Sequence, residues 1–174
     1  MLEIKLDTNQ ALPELQALQR RISHPSRLMA GIAKSLESQA QQAFQDQGLQ
    51  GEGKWAALSV RTIAERTRGR RGKNPEPASW PGAILNRSGG RGLVGSLMSA
   101  SSATTATVGA GSAKSAAYAA IHQFGGKAGR SHRVTIPARP YLPMRMKGSD
   151  LELTPKASAS ILGLMRDLVE GKLG

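Results

Sequence analysis

The sequence predicts an α+β fold: one domain in which a long helix and a C-terminal helix pack on a small, mostly antiparallel sheet. Three observations carry that prediction. Leu28, Ile32, Leu36, Ala40, Ala43 and Phe44 recur at spacings of four and three, the stripe of an amphipathic helix over about 25–47. Thr154-Pro155 reads as an N-cap followed by proline at the first helical position, and Ile161, Leu162, Met165, Leu168 and Val169 continue that helix to Gly171. Leu2, Ile4 and Leu6 alternate with polar residues, as a half-buried strand requires.

The remaining elements follow in order. A short helix is expected over about 12–22, with Pro13 in its first turn, and Gly48 is the expected stop of the long helix. Residues 51–54 form a turn, and Ser59 caps a second short helix beginning at Val60. Residues 67–83 are rich in Arg, Gly and Pro and nearly free of aliphatic side chains, so an exposed, mobile loop is expected there. The Ser-, Ala- and Thr-rich stretch 97–111 suits two short strands joined near 103–105, with a low-complexity linker as the alternative. Helical spacing returns over 115–124, closed by Gly125-Gly126, and 133–136 reads as a strand ended by Pro137, Pro140 and Pro143.

At 174 residues the chain has room for one modest core. With 39% apolar residues and only six aromatics, that core must rest on aliphatic side chains. Cysteine is absent, which excludes disulfides and thiolate chemistry. The first residues lack the order of a signal peptide and no apolar run reaches membrane-spanning length, so a soluble, unprocessed chain without membrane contact is expected. The net charge is +12, and between Lys54 and Lys147 sixteen basic residues face two acids, Glu65 and Glu76. Such an asymmetry points to an anionic partner, nucleic acid or an acidic protein surface, with a merely solvated basic face as the alternative.

Catalytic patterns are missing. His24, His122 and His132 have no carboxylate in their local sequence, and a nucleophile needs a base that is itself oriented. Packing is the expected role of His122, and no metal or cofactor is expected, because no ligand set has the usual spacing. The stretch GAGSAKS at 109–115 fails as a phosphate loop because Ala113 stands where glycine must precede the lysine. Arg66, Arg68, Arg70, Arg71 and Lys73 form a basic run suited to phosphates or to an acidic subunit, but without the interleaved aromatics that stack on bases.

Four stretches remain: GEGKWAALS at 51–59 with Thr62, ILNRSG at 84–89 with Leu93, YAAIHQFGG at 118–126, and IPARPYL at 136–142. In that order they resemble the phage virion morphogenesis family, which includes neck and tail-completion proteins of Mu-like and related contractile-tailed phages. The residues carrying the resemblance are Trp55, Leu58, Thr62, Leu85, Ser88, Gly89, Tyr118, His122, Gln123, Phe124, Gly125, Gly126, Pro137, Arg139 and Pro140. On their own physics, Trp55 and Phe124 suit burial as anchors, and Gly125-Gly126 a chain reversal. Arg139, fixed in an extended segment, suits a directed contact within the chain or to a neighbouring subunit.

The resemblance implies a non-enzymatic virion protein: a cyclic homo-oligomer, a hexamer by the natural count, at the neck or tail end. It would meet other neck, tail-tube or connector proteins, touch packaged DNA non-specifically, and assemble in the host cytoplasm. The basic run 66–73 is the expected ordering point against an acidic subunit or DNA. Two rivals are a DNA-binding protein using that run and a hydrolase using His122.

Overall fold

A computed structural model describes residues 8–68, 80, 82–86, 92–111 and 116–173, excepting the side chains of 8–11, 116 and 117. The strand expected over Leu2–Leu6, most of the basic loop including Arg70, Arg71 and Lys73, and the motif residues Ser88 and Gly89 lie outside the described residues. What is described is an α+β fold, with the antiparallel strands divided among four two-stranded ladders instead of one sheet.

Helix α1 (Thr8–Ser23) starts a turn earlier than expected, so Pro13 lies inside it and removes one backbone hydrogen bond. Helix α2 (Ser26–Asp46) is the spine. Leu28, Ile32, Leu36, Ala40, Ala43 and Phe44 are all buried, as their spacing requires. Its end differs in detail from the expectation. Gln47 takes the left-handed conformation at the C-cap, with φ 52°, and its N–H donates to the Ala43 carbonyl. Gly48 instead opens β1 (Gly48–Leu49), where a Cβ would lie 2.5 Å from the carbonyl oxygen of Gly53 in β2 (Gly53–Lys54). Glycine is needed there for close approach of two backbones.

Helix α3 (Val60–Thr67) begins where expected, the Ser59 hydroxyl accepting from the Thr62 N–H at 3.2 Å. Strands β3 (Met98–Ser101) and β4 (Ala106–Gly109) form the hairpin expected of 97–111, with Ser99 opposite Val108. Helix α4 (Ala116–Phe124) leads into β5 (Gly126–Ala128), which pairs with β6 (Val134–Ile136). Strands β7 (Met144–Lys147) and β8 (Asp150–Leu153) form a last hairpin. Helix α5 (Pro155–Val169) follows, its Thr154 hydroxyl accepting from the Ala157 N–H as an N-cap should.

Two apolar clusters lie along α2. Its first half packs Leu28, Ile32 and Leu36 against Ala157, Ile161, Leu164 and Leu168 of α5 and against Ala106 and Val108 of β4. Its second half packs Ala43 and Phe44 against Leu49, Trp55, Leu85, Leu93, Ala119 and Tyr141. The second cluster gathers residues from every one of the four sequence motifs.

Candidate functional site: where the motifs converge

The convergence is built on α4. Residues at i, i+3 and i+4 share a helix face, and Ala119, His122 and Gln123 are accordingly buried together. Phe124 lies one residue beyond that face and is 45% exposed, so the anchoring role expected of it is not realised; Tyr118 is also exposed. Gly125 ends the helix with φ 76°, and a Cβ there would lie 2.9 Å from the Ala138 nitrogen. Both the conformation and the space demand glycine.

Against this face runs the extended segment 137–143. A primary amide has two donors and two acceptor positions, and Gln123 uses them all. Its Oε1 accepts from the N–H groups of Tyr141 and Leu142, each at 3.0 Å. Its Nε2 donates to the carbonyls of Leu142 at 3.4 Å and Met144 at 3.2 Å. The Arg139 N–H donates to the His122 carbonyl at 2.7 Å, and the Tyr141 hydroxyl to the Ala119 carbonyl at 3.2 Å. Burial pushes the Tyr141 phenol up to about 12, which keeps it protonated as a donor.

The first motif is clasped from the same segment. Trp55 Nε1 donates to the Pro140 carbonyl at 2.7 Å, and its indole meets Phe44 edge-on at 5.8 Å between centroids. Arg139 is 5% exposed, and its Nε and Nη2 donate to the carbonyls of Ala56 at 3.0 Å and Ala57 at 3.2 Å. Of the two roles left open for it, the chain uses the internal one, and the partners are carbonyls instead of a carboxylate. Burial, then the nearby Arg66 charge, hold its pKa below the ordinary arginine value.

Arg66 is likewise turned inward. Its guanidinium donates to the Ile84 carbonyl at 2.7 Å and lies 5.6 Å over the Trp80 ring, joining α3 to the second motif. Trp80 Nε1 donates to the Ala83 carbonyl, and Ile84 N–H to Gln47 Oε1. Arg66 therefore does not belong to an outward basic surface, whereas Arg68 is exposed. Leu85 is buried in the shared core and Leu58 and Thr62 are half-buried; Pro140 is half-buried, while Pro137 and Gly126 lie exposed at either side.

His122 has the environment of a packing residue. Its ring meets Tyr118 edge-on at 4.4 Å, and Nδ1 is buried without a hydrogen-bond partner. Burial, then the charges of Arg139 and Arg66, pull its pKa down to about 4. It is neutral at pH 7, and a base oriented through Nδ1 is not what this geometry provides. Among the described residues, no three His, Asp or Glu side chains gather as a cation would need. Among the described residues, no helix is long and apolar enough to cross a membrane.

The roles of Gln123 and Tyr141 were not readable as roles, although one signal existed. A glutamine inside the apolar run AAYAAIHQF needs four partners if that face is buried.

The phage virion morphogenesis family matches residues 6–170, nearly the whole chain and all four motifs. The chain belongs to that family. It is 32% identical over 170 residues to the "Mu-like prophage FluMu G protein 2" of Haemophilus influenzae, an alignment covering 96% of this chain and 95% of the relative. No solved structure matches. The role of this family member is in the morphogenesis of a phage virion, a structural role. The convergence of the motifs has a plain reading in that light: Trp55, Leu85, Gln123, Arg139 and Tyr141 hold the chain's own segments together.

Proposed function

We propose that the protein is a ring-forming subunit at the head–tail junction, a neck or tail-completion component that terminates the tail or joins it to the head. The observation that supports a ring is the β7–β8 hairpin. Its register sets Met144 opposite Leu153 and Met146 opposite Leu151 on one face, and Arg145 opposite Glu152 and Lys147 opposite Asp150 on the other. Alternation of this kind serves to bury one face, yet Met146 and Leu151 are 52% and 57% exposed. The hairpin is held in place by the Arg145–Glu52 ion pair at 3.1 Å and by the Thr154 N–H on the Pro143 carbonyl.

A second uncovered stripe runs along α5. Ile161, Leu164 and Leu168 pack on α2, while Leu162, Met165 and Val169 face outward. Two separate apolar surfaces on one chain suit a head-to-tail contact in which the hairpin of one copy meets the helix of the next. Such contacts close into a ring when the rotation between copies permits. The ring would present its faces to connector and tail-tube proteins. Light scattering of the purified chain, alone and with neck proteins, is expected to give a closed oligomer, and Met146→Glu with Leu151→Glu is expected to dissociate it. A wild-type chain that stays monomeric under both conditions would overturn the ring.

A further inference from the structure

We propose that the β5–β6 hairpin is a phosphate-contacting surface that binds the backbone of duplex DNA without regard to sequence. Lys127, Arg130, Ser131, His132 and Arg133 lie within seven residues on this hairpin, all exposed. The chain contains no acidic residue between Glu76 and Asp150, so nothing in the local sequence neutralises them. Several other basic residues are engaged within the chain. Arg66 and Arg139 donate to carbonyls, and Lys34, Arg61, Arg145 and Lys147 pair with Glu37, Glu65, Glu52 and Glu152. Among the described residues, Lys127, Arg130 and Arg133 form no ion pair.

The tip is a tight turn. Ser131 and His132 have φ of 59° and 52°, Arg133 returns to the right-handed region with φ −81°, and the His132 N–H donates to the Gly129 carbonyl at 3.1 Å. The side chains available are guanidinium, ammonium, hydroxyl and imidazole, the set that contacts phosphate in protein–DNA interfaces. Val134 is the one large exposed apolar residue beside them, which favours DNA over the mixed apolar and polar surface of a protein partner. The hairpin carries no Phe, Tyr or Trp to stack on unpaired bases, which favours the phosphate backbone of a duplex over single strands.

The proposal is independent of the ring and is tested on the full-length chain. Fluorescence anisotropy would measure binding to two labelled duplexes of unrelated sequence, each about 20 base pairs, from about 50 to about 200 mM salt. The expected result is equal affinity for both, with log K falling linearly in log salt. Lys127→Ala/Arg130→Ala/Arg133→Ala should lower the magnitude of that slope by about 3, near one per lost phosphate contact. Arg20→Ala/Arg27→Ala/Arg166→Ala, an equal change of net charge elsewhere, should lower it by less than about 1. If the alanine triple melts early, the glutamine triple at the same positions carries the same expectation. An unchanged slope in the hairpin variant would overturn the proposal. So would polyglutamate of matched charge binding as tightly as DNA, which would assign the hairpin to an acidic protein.

Discussion

Gln123 spends a full set of hydrogen bonds on one four-residue stretch of chain, and this defines what its loss should do. Gln123→Leu keeps the volume but leaves the Tyr141 and Leu142 N–H groups without their acceptor and the Met144 carbonyl without the Gln123 donor, while the Leu142 carbonyl keeps the Met144 N–H. A cost of about 3 kcal/mol is expected in denaturant unfolding, whereas Tyr141→Phe, which removes only one additional donor from the Ala119 carbonyl inside α4, should cost about 1 kcal/mol. His122 gives a pH signature. Its folded pKa of about 4 lies below the ordinary 6.5, so between those values the unfolded chain binds a proton that the folded chain refuses. Stability should therefore fall by up to about 3 kcal/mol as pH drops through that window, and His122→Leu should flatten the loss while the carboxylates keep their own. Thermal unfolding across pH 4–7 in the two proteins reads the difference.

Among the elements, the turns separate two uses of glycine. Gly125 has positive φ and a backbone neighbour where a Cβ would stand, while Gly51 has φ 88° and open space around it. Gly125→Ala should cost more than about 2 kcal/mol and Gly51→Ala only about 1 kcal/mol, measured as unfolding free energies. The caps at Ser59 and Thr154 were legible because a cap is written within four consecutive residues. The same holds for the stripe of α2, whose period is local. The hairpin β7–β8 carried a readable period of two in Met144, Met146, Leu151 and Leu153 around Gly148, but charges between them and prolines before them masked it. Strands β1 and β2, two residues each, are defined by the close approach at Gly48 and have no pattern of their own. Arg139 was legible as a directed contact, but its partners Ala56 and Ala57 stand more than 80 positions away, and carbonyls leave no mark in a sequence. Arg66 was grouped with the basic run by adjacency. The helical turn of α3 instead carries it inward, onto Ile84 and Trp80.

At the scale of the whole molecule, two cores lie along α2, and the four motifs belong to the one around Phe44, Trp55 and Tyr141. Motif residues that include Trp55, His122, Gln123 and Arg139 are thereby occupied in holding one segment, 137–143, against α4 and the turn after α2. The apolar faces of β7–β8 and α5 and the basic face of β5–β6 stay exposed, and on them rest the proposed ring and the proposed DNA contact. On the proposed reading, His122 and its motif hold the fold of a virion protein and take no part in chemistry. That role is tested most directly by electron micrographs of particles made without the protein and complemented with the His122→Leu chain. Unjoined heads and tails, or tails of wrong length, are expected in its absence and complete particles with the variant. A folded His122→Leu chain that leaves the particles as defective as the deletion would contradict it.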